Sequence, residues 1–169
     1  MKVEIKGLDS LKAKLKAAPK IMEEAVWDAT FEIVEEVASR GASRIQSSVK
    51  HGSGESAGSI KQEVVIDSNG KLIGRVWSDK QQLLFREFGT GPVGEASPKD
   101  LPNGVNPFYT QERWFVPVDI VAVDLEAVYG IPKVTINGKD FFMTRGQPAR
   151  PWLYPSIKEV EENIPEIYK

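Results

Sequence analysis

The stretch Phe88-Gly89-Thr90-Gly91-Pro92-Val93-Gly94 has the glycine spacing of a loop that cradles phosphate on backbone N–H groups. A dinucleotide fingerprint needs a third glycine at the right offset and a helix directly after it, and a P-loop needs a Lys-Ser or Lys-Thr pair. Pro92, Gly94 and a proline-rich run follow instead. The glycines therefore read as backbone freedom at a corner between a sheet and a long loop. Phe85 and Phe88 are expected to anchor that corner in the core, with Glu87 between them.

Other chemistry-bearing residues form weaker patterns. His51 is the single histidine and there is no cysteine, so no second soft ligand exists to complete a metal site around it. It reads as an exposed turn residue in a Gly-Ser loop. Asp119, Asp124 and Glu126 lie close in sequence but lack the glycine and spacing of a calcium loop, and read as solvated charge. Ser43, Ser47, Ser48, Ser53, Ser56 and Ser59 are frequent, yet none sits in a nucleophile-elbow pattern. No catalytic, cofactor-binding or metal-ligating constellation emerges.

A second cluster is Arg145-Gly146-Gln147-Pro148-Ala149-Arg150-Pro151-Trp152-Leu153-Tyr154-Pro155-Ser156. Arginines between aromatics can stack on bases, although prolines flank these and the acidic Glu-Val-Glu-Glu-Asn follows. Trp152 and Tyr154 can instead pack internally while Arg150 holds a carboxylate. The same residue types also anchor intersubunit contacts.

The elements that must position these groups follow from patterning. With 169 residues, 41% of them apolar and 27% charged, the chain fits one soluble domain. Its 22 basic and 24 acidic residues interleave, leaving no global field to attract nucleic acid or a membrane. The N-terminus lacks an apolar run of signal-peptide length, and an intracellular protein is expected. A short strand is expected at 3–5 and a short helix at 11–17, stopped by Pro19. A long amphipathic helix over 20–50 presents Ile21, Ala25, Ala29, Ile33, Val37, Ile45 and Val49, with Gly41 marking a bend or a close approach.

Residues 51–59 read as a flexible loop, and 60–67 with 71–77 as a hairpin around Asn69-Gly70. Residues 81–88 suit either helix or strand, and 89–111 a long loop. A strand at 113–118, an undecided segment at 120–129 and a second hairpin around Asn137-Gly138 come next. The closing helix is expected to open at Arg150-Pro151-Trp152, with Pro151 in its first turn. The sum is α+β: a long N-terminal helix and a C-terminal helix on an antiparallel sheet built from hairpins.

Four stretches carry a resemblance when taken in order. They are Ile5-Lys6-Gly7-Leu8-Asp9-Ser10-Leu11, Ser53-Gly54-Glu55-Ser56-Ala57-Gly58-Ser59-Ile60, Phe85-Arg86-Glu87-Phe88-Gly89-Thr90-Gly91 and Gln147-Pro148-Ala149-Arg150-Pro151-Trp152-Leu153. The chain resembles the phage neck or tail-component family named after gene product ten of phage HK-ninety-seven, proteins of head-tail joining. The resemblance covers 1–91 and 145–169, and 92–144 stands out as a loop-rich insertion within a single domain. It implies a non-enzymatic, cofactor-free subunit of a ring in the virion, held in the host cytoplasm before assembly, with other neck and tail proteins as partners.

Under that resemblance Phe85, Glu87, Phe88, Gly89, Thr90, Gly91, Arg150, Pro151 and Trp152 are the signature residues. They form either two unlike faces for ring contacts or one internal unit in which Glu87 pairs with Arg150. Two other classes of function compete. One is a hydrolase or nuclease using Glu87 and Asp119 with a divalent metal; the other is a single-strand nucleic-acid binder using Arg145, Arg150, Trp152 and Tyr154.

Overall fold

The computed structural model describes residues 8–48 and 54–167. The strand expected at 3–5 and His51 lie outside the described residues. The fold is α+β, with a long N-terminal helix, a C-terminal helix and antiparallel sheets.

Helix α1 runs without interruption over Leu8–Ser47 and passes through Pro19. Two helices were expected there. A proline removes one backbone bond, but the flanking Lys12-Ala13-Lys14 and Met22-Glu23-Glu24-Ala25 are strong helix formers that carry the helix across it. The apolar stripe is buried only from its middle onward, at Val34, Val37, Ala38 and Ile45. Ile21, Met22 and Val26 face solvent.

Strands β1 (Ile60–Ile66) and β2 (Leu72–Ser78) pair antiparallel, from Ile60 opposite Ser78 to Ile66 opposite Leu72. They lie on the second half of α1, where the Gly74 backbone approaches Thr30 and Val34 closely. The turn is not a two-residue Asn-Gly loop: Asp67 belongs to it, with its Oδ1 accepting the Asn69 and Lys71 N–H groups at 2.9 and 2.8 Å. Only Gly70 of the Asn-Gly pair has a positive φ.

Residues 92–144, expected as an insertion, build a separate sheet. Strands β3 (Trp114–Pro117), β4 (Lys133–Ile136) and β5 (Lys139–Thr144) stand in the order β3-β5-β4, all antiparallel. Here Asn137 and Gly138 both take positive φ, at 51° and 76°, so this two-residue hairpin forms as expected.

Two segments read as loops are partly helical. Helix α2 (Glu55–Gly58) is one turn, held because Ala57 enters the core beside Ile45, Leu83 and Trp152. The segment 81–88 is a helix, α3 (Gln81–Phe88), and α4 (Gly91–Ala96) follows it inside the expected long loop. A 3-10 turn spans Val118–Ile120. Asp124 caps α5 (Leu125–Tyr129) by accepting the Glu126 and Ala127 N–H groups at 3.0 and 3.2 Å. The last helix, α6 (Tyr154–Ile167), packs along α1 and joins it through Glu159, which pairs with Arg40 at 3.2 Å and with Arg44. It opens at Tyr154 and not at Arg150, so Pro155, not Pro151, stands in its first turn.

Candidate functional site

The two signature stretches meet around one carboxylate. Helix α3 turns Leu83 and Glu87 inward, while Leu84 and Phe85 face out. Glu87 is 8% exposed and lies at the start of α6. Its Oε2 accepts the Trp152 and Leu153 N–H groups at 2.6 and 2.9 Å, and its Oε1 accepts the Tyr154 N–H at 2.9 Å. A helix start leaves backbone N–H groups without intrahelical acceptors and carries partial positive charge. A glutamate distant in sequence therefore caps α6.

The expected Glu87–Arg150 pair does not form. Three backbone donors occupy both oxygens of the carboxylate, and Arg150 turns the other way. Its Nη1 donates to the Ser48 carbonyl at 3.3 Å, just past the C-terminal end of α1, where helix carbonyls lack partners. Arg86 also donates to Ser48, through its Oγ. Burial, and next the nearby Arg150, hold the Arg86 guanidinium below the ordinary arginine range. Its Nε is buried without an acceptor among the described residues.

The rest of the contact is a ladder of short bonds. The Thr90 N–H donates to the Gln147 carbonyl at 3.0 Å and the Gln147 N–H to Thr90 Oγ1 at 3.1 Å. Gln147 Nε2 reaches the Phe85 carbonyl at 3.1 Å, the Arg150 N–H the Arg86 carbonyl at 2.6 Å, and the Ala149 N–H Ser97 Oγ at 2.8 Å. Thus the two stretches pack together as one internal unit.

Trp152 locks this unit onto α1. It is 4% exposed, its Nε1–H donates to the Leu83 carbonyl at 3.0 Å, and its ring edge lies 3.0 Å from where a Cβ on Gly41 would stand. Gly41 marks a close approach, by a side chain. The core anchor is therefore Leu83 with Trp152, in place of the two phenylalanines: Phe85 is exposed and Phe88 half-buried. Gly89 has φ 75°, and a Cβ there would stand 2.6 Å from the Gly94 Cα and 2.7 Å from the Ala149 nitrogen.

A short helix does follow Gly89-Thr90-Gly91, contrary to the sequence reading. Its first turn points at protein: the Val93 N–H donates to the Arg145 carbonyl at 3.5 Å, and the same carbonyl lies against the Gly91 α-carbon. No phosphate cradle results.

Of the residues named for the competing chemistries, Glu87 and Trp152 are taken up by the internal unit, whereas Asp119 and Arg145 are exposed. Both Glu87 oxygens are occupied, and Asp119 is exposed on the 3-10 turn. Asp124 caps α5 and pairs with Lys133 at 2.8 Å. Among the described residues no group of three His, Asp or Glu side chains is placed to hold a metal ion. Trp152 offers no face for a base.

Sequence reasoning missed Gln147 and Ser97 as the ladder's side chains and Phe108 as a surface feature. Phe108 is 95% exposed at the mouth of a groove of about 830 Å³ between α3 and the insertion. Tyr109, beside it, ties the insertion to α3 through a 2.9 Å bond to the Phe88 carbonyl. The signal lay in Pro107-Phe108-Tyr109, an apolar pair in a loop with no periodic partner. Comparison of the chain with family models, curated proteins and solved structures gives no match.

Proposed function

We propose that this chain is a structural subunit of a phage or prophage head-tail junction, a neck or tail-completion component that acts by assembling into a ring. One observation carries the reading. Two of the four stretches on which the resemblance rests, 65 residues apart at Glu87 and Trp152, are a single packed unit. Residues brought together in this way work as a frame, and the frame leaves other surfaces of the chain free to meet neighbours.

No bond is made or broken in such a role. The chain's task is to present surfaces in fixed relative orientation, and the capped start of α6, locked to α1 through Trp152, supplies that rigidity. In this reading its partners are further copies of itself and other neck and tail proteins, in the cytoplasm of the host first and then in the virion.

The test is made on particles. Mass spectrometry and immunogold labelling of purified virions should find the protein at the head-tail boundary, and deleting its gene should leave filled heads and tails unjoined. Particles that lack the protein yet join normally would overturn the proposal.

A further inference from the structure

Two apolar surfaces stay open on the chain. One is the first half of α1, where Met22, Val26 and Trp27 are 68%, 50% and 39% exposed and border a cleft whose other wall is Ile66 and Leu72 of the first hairpin. A stretch of helix with so little covering is marginal in water, so this face is suited to a cover. The other is the groove between α3 and residues 92–144, lined by Leu84, Phe85, Phe108, Trp114 and Ile131 with no charged side chain.

The charges around them are opposite. Residues 21–39 hold Glu23, Glu24, Asp28, Glu32, Glu35 and Glu36 and no lysine or arginine. Beside the groove-lining residues stand the exposed Arg113 and Arg145, neither in an ion pair among the described residues, against the exposed acid Glu112. Two copies meeting through like surfaces would bring the acidic helices together, which repulsion opposes.

We infer that the first half of α1 of one copy lies in the Phe85–Phe108–Trp114 groove of the next, so that copies join head to tail through unlike surfaces. The contact is a helix in a groove, with Met22 and Val26 one turn apart as anchors. Its meaning as a ring contact rests on the head-tail reading, but the contact itself belongs to the isolated protein.

The experiment uses the full chain with two single substitutions at exposed positions, Val26→Asp on the helix and Phe108→Asp at the groove. Circular dichroism and thermal melts first confirm that both fold. Light scattering over a concentration series should show wild-type mass rising with concentration and falling with salt. Each variant should associate about thirtyfold or more weakly, as expected for loss of one hot-spot side chain. An equimolar mixture of the two should form dimers and nothing larger, because one intact helix meets one intact groove. Since the chain has no cysteine, Val26→Cys mixed with Phe108→Cys should give a heterodimeric crosslink.

Wild type that stays monomeric at all concentrations, a mixture that fails to dimerise, or association lost with Val26→Asp but kept with Phe108→Asp would each overturn the contact. The last result means that helices pair with each other. None of these bears on whether the protein is found in particles, so the two proposals fail separately.

Discussion

Replacing Glu87 by glutamine changes one oxygen to an NH2 group in a side chain that is 8% exposed, with almost no change of shape. The remaining amide oxygen can accept from Trp152 and Leu153, but the NH2 then faces the Tyr154 N–H, which loses its acceptor. An orphaned buried donor costs about 1–3 kcal/mol, and the two surviving bonds drop from charge-assisted to neutral strength, about half. The total is about 2–4 kcal/mol, which for a chain of this length lowers Tm by about 5–15 °C. Thermal and urea unfolding measure it, and amide hydrogen exchange should accelerate first at Trp152, Leu153 and Tyr154. Arg150→Ala supplies the contrast: it removes an exposed bond of 3.3 Å, and its effect should stay below about 1 kcal/mol. If Glu87→Gln unfolds within about 2 °C of wild type, or if Arg150→Ala is as damaging, the capping argument is wrong and an ion pair is restored.

Three further outcomes are expected. Gly89→Ala forces a side chain onto a φ of 75° and into the Gly94 and Ala149 backbone, and should lower stability by about 3 kcal/mol or more in urea denaturation. Glu159→Gln, which loosens the half-exposed pairing of α6 with Arg40 and Arg44, should leave Tm within about 2 °C of wild type at physiological salt. The Asp67 carboxyl is held below the ordinary aspartate range, first by the Lys71 N–H bond. A depressed folded-state pKa means that its contribution is complete above the ordinary range and is lost as pH falls below it. The Asn69 and Lys71 amide resonances should therefore move together in an acid titration, below the pH at which free aspartates titrate, and should not move in Asp67→Asn.

The sequence revealed what depends on local repetition. The 3.6-residue stripe located α1, and Asn137-Gly138 located its hairpin, because a type I′ turn demands those two residues side by side. Contacts between distant segments were not legible. Glu87 has an arginine in the partner stretch, and charge alone suggested a pair; only the fold shows that a helix start with open N–H groups stands closer. Ala57 turned a Gly-Ser loop into a helix by entering a core whose other members, Ile45, Leu83 and Trp152, lie far along the chain. The phenylalanines misled because hydrophobic character does not say which side of an eight-residue helix is covered.

The insertion leaves and rejoins the frame almost at one point: Val93 and Arg145 share a backbone bond, as do Thr90 and Gln147. A segment with adjacent ends is a side branch, and its length or content can change at little entropic expense to the rest of the chain. Phe108, Trp114 and Ile131, one wall of the groove, all belong to that branch, while Glu87, Trp152 and α1 do not. If the groove receives a neighbour as inferred above, changes at Phe108, Trp114 and Ile131 alter which neighbour is accepted without touching Glu87, Trp152 or α1, whereas changes at Gly94 or Ser97 of the same branch reach the frame itself.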